Sequence, residues 1–177
     1  MELRYWSLLI FLGAIWGSAF MFIKIATPEL GAVFLVQLRL ALASLVFLPL
    51  LIRPKLLKLF MKSFKYILIL SLTNTAIPFI LFSEASNGSD SNMLAILNSS
   101  TALMTMFIAF FWLKEKITIK QVGGLILGFI GIVILVNPKN SSIDSYSALI
   151  CLAGSFCYAF SGVFIQKYCV SINKLVL

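Results

Sequence analysis

Histidine is absent from these 177 residues, and the six carboxylates, Glu2, Glu29, Glu84, Asp90, Glu115 and Asp144, fall at the ends of apolar runs or between them. The commonest general base and the commonest zinc ligand are therefore missing. No two carboxylates share a spacing that would pair them for acid–base work inside an apolar layer. Cys151, Cys157 and Cys169 cluster near one apolar run, at spacings that suggest neither a disulfide framework nor a metal site. The chain does not read as an enzyme, and no catalytic residue, metal or cofactor is expected.

The residues left to do chemistry are neutral polar side chains inside apolar runs. At 100° per residue, Ser91, Asn98, Thr101 and Thr105 fall on one helical face, with Trp112 further along the same run. Ser71, Asn74 and Pro78 share a second face. Pro78 has no N–H for the carbonyl of Asn74, so a backbone acceptor is freed beside a polar amide. Ser155, Tyr158, Gly162 and Gln166 share a third, and Trp16 lies beside the small residues Gly13 and Gly17. Two readings fit such stripes: hydrogen bonds between packed helices, or the wall of a cavity that receives a small polar molecule. The cavity candidates are Trp16, Asn74, Asn98, Thr101, Thr105 and Tyr158.

Arg39 is the charge that stands clearly inside an apolar run, about 12 Å from its start at 1.5 Å per residue. An arginine at the centre of a membrane helix costs about 2.5–3.5 kcal/mol on insertion scales, so it should reach outward or find a partner. Glu84 and Glu29 are the acids near the same end. An ion pair with one of them is one reading, and attraction of an anionic substrate is the other.

The elements that must position these groups are six apolar segments, at 7–23, 31–52, 66–83, 91–113, 121–136 and 146–165. Each is near the 17–25 residues needed to cross a bilayer, the fifth being short. Of 14 Lys and Arg, Arg4, Arg53, Lys55, Lys58, Lys62, Lys65, Lys114, Lys116, Lys120, Lys167 and Lys174 fall before the first segment, in alternate gaps, or after the last. Lys24 and Lys139 lie on the other side. The positive-inside rule then places both termini in the cytoplasm of a multi-pass cell-membrane protein. A hydrophobic content of 61% excludes an ordinary soluble domain. The net charge of +8 is this loop excess, directed at anionic lipid headgroups rather than nucleic acid. The first segment is too long for a signal-peptide core, lacks a small-residue cleavage site and is retained.

Turn formers punctuate the runs at Thr27-Pro28, Arg53-Pro54, Asn87-Gly88-Ser89-Asp90 and Asn137-Pro138. Thr118 and Gln121 have the spacing of a capping box at the start of the fifth segment. Asn87-Gly-Ser and Asn140-Ser-Ser match the glycosylation pattern, which is too short to assign a function. Gly13/Gly17 and Gly124/Gly128/Gly131 form small-residue stripes that suit close helix packing. The segment from Tyr146 loosely echoes that from Tyr5, and the parity of crossings makes any such repeat an inverted one.

The stretches WGSAFMFIKIA from Trp16, LRLALASLVFLP around Arg39, NTAIPFILF from Asn74, and AILNSSTALMTMFIAFFWLKEKITIKQVGGLILGFIGIVIL from Ala95 resemble the EamA-type branch of the drug/metabolite transporter superfamily. That resemblance implies an all-α polytopic transmembrane bundle of about six helices. Residues 1–137 would form the first inverted repeat of a ten-helix fold, and 138–177 the first helix of an incomplete second repeat. It implies a permease for small metabolites such as amino acids, with a missing second half or a homodimer completing it. Two departures stand out: Ala102 where the family has proline, expected to straighten the fourth segment, and Lys114 where it has glycine. The alternatives are an inactive truncated transporter, or a small multidrug-type exporter working as an oligomer, although the first segment lacks the acid such exporters use.

Overall fold

The computed structural model describes residues 3–51, 53–136 and 142–172, and these are helical apart from short connections and one isolated bridge between Ser89 and Ile143. Eight α-helices follow one another: α1 (Leu3–Leu30), α2 (Ala32–Leu51), α3 (Pro54–Ser71), α4 (Ile77–Ala85), α5 (Ser91–Ser99), α6 (Thr101–Leu113), α7 (Ile119–Val136) and α8 (Ser145–Phe164). Several join end to end, so among the described residues five continuous helical runs are long and apolar enough to cross a bilayer. In α7 the apolar stretch Ile119–Gly131 is shorter, as its sequence predicts. The chain is therefore an all-α, multi-pass helical bundle.

Three boundaries differ from the sequence reading. Thr27-Pro28 does not end the first helix: Pro28 lies within the last turn of α1, and the stop comes at Gly31 with φ +74°. A proline near a helix end forfeits little, whereas the left-handed turn that redirects the chain needs glycine. The third crossing starts at Pro54, not near Tyr66, because Lys55, Lys58, Lys62 and Lys65 follow a helical spacing opposite apolar residues. What read as a basic loop is the amphipathic beginning of a helical run from Pro54 to Gly88. The sixth crossing continues through a π-helical turn, Ile165–Cys169. Asn137-Pro138, the Asn140 pattern, Lys139 and Lys174 lie outside the described residues.

The core is built around α8, which packs against α4, α5 and α6. Phe82, Ala85, Leu94 and Cys151 form a buried cluster near the end that holds Gly31 and Asp90. Gly154 lets the Phe82 ring approach to about the distance at which a Cβ would crowd it, 3.0 Å. Toward the other end, Leu70, Phe164 and Cys169 are buried among Trp112 and Phe160. The Ser155/Tyr158 side of α8 is thus turned inward: Ser155 is fully buried and Tyr158 stacks on Phe82 at 5.7 Å. By contrast, residues 5–17 of α1 are exposed, and a Cβ at Gly13, Gly17, Gly124, Gly128 or Gly131 would meet nothing within 4 Å. The glycine stripes therefore do not mediate packing among the described residues.

The loops at the Gly31 end are tied together. Lys24 Nζ donates to the carbonyls of Ser86 (2.6 Å) and Ser89 (2.8 Å). Asp144 N donates to Gly88 O (3.0 Å), and Ser142 N to the Asp90 carboxylate (2.9 Å). Asp144 caps α8, accepting from Ser147 N at 2.7 Å. At the opposite end the capping box forms as the sequence predicts, Thr118 N donating to Gln121 Oε1 at 2.9 Å.

Candidate functional site

Two of the membrane-crossing helices are irregular midway, and α8 supplies a hydroxyl to each irregularity. Pro78 withholds an N–H, and the preceding Leu72–Ala76 segment widens into a π-helical turn in which Ile77 N–H reaches Leu72 O. Asn74 sits in that turn, and Ser161 of α8 lies 2.8 Å from its Oδ1. The second irregularity is at Ser100, between α5 and α6, where Ser100 N bonds Leu97 O in a tighter turn. Ala102 has not straightened this crossing. Ser155 Oγ lies 3.2 Å from the Leu97 carbonyl, within reach of donating to it. In a bilayer, non-helical backbone is tolerated where protein or a cavity satisfies it; here α8 reaches the Leu97 carbonyl through Ser155, and through Ser161 it reaches the Asn74 side chain rather than the backbone.

The predicted cavity residues do not gather around one void. Asn98 and Thr101 face each other weakly, Thr101 Oγ1 lying 3.4 Å from Asn98 Oδ1. Thr105 bonds the carbonyl of Thr101 at 2.7 Å. Tyr158 is half-buried in the aromatic core, while Trp16 is 71% exposed on the outer side of α1. Trp16 is thereby separated from the rest.

Arg39 has neither Glu29 nor Glu84 as an ion-pair partner among the described residues; its guanidinium instead lies 4.7 Å from the centre of the Phe79 ring. A desolvated cation–π contact is worth about 2 kcal/mol, less than the insertion cost of about 2.5–3.5 kcal/mol, so stacking offsets only part of it. Glu84 is half-buried and Glu29 exposed.

Between α6 and α7, near the Lys114 end, lies an open cleft of about 490 Å³ whose walls include Thr105, Glu115, Lys116, Gln121, Gly124 and Gln166. Gln166 Nε2 donates to Glu115 Oε1 across it at 2.6 Å. Sequence reading placed Gln121 in a cap and Gly124 in a glycine stripe, and so missed the cleft; only Thr105 and Gln166, from two separate polar faces, pointed to it. The same end carries an aromatic cluster in which Trp112 stacks on Phe160 at 5.2 Å and Phe164 lies 5.0 Å from Tyr168. Lys167 lies 5.0 Å from the Trp112 ring and donates to the Trp112 carbonyl at 3.1 Å, near the end of α6. Aromatic rings with a basic residue at this level suit the membrane–water boundary. Among the described residues, no cluster of His, Cys, Asp and Glu could hold a metal ion.

Comparison with known proteins agrees with this membrane architecture. An uncharacterized transporter of Archaeoglobus fulgidus is 23% identical over 141 residues, which cover 80% of this chain and 50% of the relative. The chain thus spans about half the length of that relative. No solved structure matches it. The EamA-like transporter family matches residues 4–137, most of the chain, and the protein belongs to that family of membrane transporters.

Proposed function

We propose that the chain forms part of a secondary carrier that moves small metabolites, amino acids or related solutes among them, across the cell membrane, with both termini in the cytoplasm. The observation that carries this is the pair of irregular crossings at Asn74 and Ser100, whose polar groups converge on α8. Interrupted helices with spare backbone acceptors are a recurrent way of building a mid-membrane solute site, and two discrete helix arrangements are what alternating access requires. In this reading Asn74, Asn98, Thr101, Thr105 and Tyr158 contribute to the path, the cleft beside Glu115 is its cytoplasmic mouth, and Trp16 serves a surface outside this chain.

The carrier is completed by a second copy of this chain. The exposed glycine stripes of α1 and α7 support that pairing. Reconstitution at graded protein density tests it, with exchange of labelled against unlabelled metabolites as the readout. Saturable exchange should rise with the square of protein density, and Asn98→Ala should reduce it without lowering folded yield. A first-power dependence at densities where cross-linking finds only monomer would show that one copy suffices. Exchange only after addition of a separately encoded relative would replace the second copy with that partner. No exchange at any density or with any partner would favour an inactive chain.

A further inference from the structure

The Arg39 guanidinium is a charge left without an ion-pair or hydrogen-bond partner among the described residues. It is half-buried within α2, its Cζ lies over the Phe79 ring of α4 at 4.7 Å, and it has no carboxylate or carbonyl acceptor among the described residues. A contact with a ring face does not use up the five N–H donors of a guanidinium. One helical turn along the same face of α4, Phe82 carries the stacked ring of Tyr158 from α8. Residues three apart on a helix are neighbours, so Phe79 and Phe82 hold Arg39 and Tyr158 side by side. Arg39 is within electrostatic reach of Tyr158, and no hydrogen bond occupies the Tyr158 hydroxyl among the described residues. Where α4 meets α2 and α8, a cation without a carboxylate partner and a hydroxyl without a hydrogen bond, among the described residues, thus lie near each other.

We infer that Arg39 and Tyr158 form a receptor for one oxyanion group, the carboxylate or phosphate of a small solute, with Phe79 holding the guanidinium in place. The inference rests on the transporter reading only in taking that solute as cargo; the binding itself does not. An arginine fork pairs with carboxylate or phosphate through two parallel hydrogen bonds, and the phenol adds a third. Lipid headgroup phosphate offers the same chemistry and is the competing source.

The chain has three arginines, Arg4, Arg39 and Arg53, which makes their side chains separable by NMR. The full chain, labelled with ¹⁵N-arginine in maltoside micelles, is titrated with acetate and separately with inorganic phosphate against a chloride background. Arg39→Lys assigns the signal; if that variant does not fold, Arg4→Lys and Arg53→Lys assign it by elimination. The Arg39 Nε–H resonance should shift saturably with at least one of the two anions while the other two stay within the salt effect. Tyr158→Phe should weaken that binding about tenfold, the effect of one hydrogen bond to a charged group. Equal, non-saturating shifts at all three arginines would overturn the site. So would a shift that appears only in phosphatidylcholine nanodiscs and is indifferent to added anion, because a lipid would then be the occupant. Saturable binding without exchange in vesicles would leave this site standing and the carrier reading refuted; exchange of a cationic or neutral solute with a silent Arg39 would do the reverse.

Discussion

Lys24 sits on the side of the membrane that the charge pattern otherwise leaves nearly free of basic residues, and the structure gives it a specific task. Its ammonium donates to two main-chain carbonyls, Ser86 O at 2.6 Å and Ser89 O at 2.8 Å, in a partly buried position. Those carbonyls follow the C-terminal end of α4, where the helix dipole favours a cation. Lys24→Met keeps most of the aliphatic stem and removes the charge, so packing should change little. Hydrogen bonds to a charged group are worth about 1.5–3 kcal/mol each. Because water reaches the site, the lower value applies, and the pair should contribute about 3 kcal/mol at most. For a chain of this size each kcal/mol moves the unfolding midpoint by about 2–4 °C, giving an expected fall of up to about 6–12 °C. Thermal unfolding in detergent, followed by tryptophan fluorescence, measures it, and amide exchange should rise at Asn87–Asp90. A Lys24→Met midpoint within about 1 °C of the parent, with unchanged exchange in that turn, would refute the reasoning.

Other positions make independent predictions. Gly88 has no room for a side chain, since a Cβ would collide with the Asp144 carboxylate and come within 2.5 Å of Ser147 Oγ; Gly88→Ala should lower folded yield and loosen the start of α8, which size-exclusion profiles and exchange at Tyr146–Ala148 would reveal. Lys114 ends α6 in the left-handed region at φ 57°, a conformation costing a non-glycine residue about 1 kcal/mol, so Lys114→Gly should raise the unfolding midpoint by about 2–4 °C, and a fall would contradict it. The backbone N–H of Ser147, followed by its hydroxyl, lowers the Asp144 pKa below its ordinary value. Its cap therefore stabilises the fold fully above the unfolded carboxylate pKa of about 4 and is lost as pH falls through the lower folded value. The midpoint difference between parent and Asp144→Ala should be constant near neutrality and close below about pH 4; a difference that persists in acid would reject the charged cap.

Sequence alone located the crossings because apolar length and basic asymmetry are strong, additive signals, and it identified the cap at Thr118 because a capping box is local. It misjudged Thr27-Pro28 because a proline near a helix end is tolerated when a following Gly31 can take the turn. It read Lys55–Lys65 as a loop because charge count conceals helical spacing unless the apolar residues between are counted too. The acceptor that Pro78 frees beside Asn74 was legible, but not that Ser161, 87 residues away, would meet the Asn74 side-chain oxygen. Partnering across helices also decided Arg39, where an aromatic face took the place expected of Glu84 or Glu29. Such pairings depend on helix rotation, which a polar stripe indicates only as a face.

The account depends most on which side of the membrane each end of the bundle occupies, because the mouth beside Glu115, the Lys24 clasp and the carrier reading all assume it. Single cysteines in a background without Cys151, Cys157 and Cys169 test this directly. Ser86 is buried, so the probe at the Gly31 end is Asn87→Cys, which is exposed, and Lys58→Cys reports on the basic end. An impermeant maleimide applied to intact cells should label Asn87→Cys at once and Lys58→Cys only after the membrane is opened; labelling of Lys58→Cys from outside, with Asn87→Cys protected, would contradict the account.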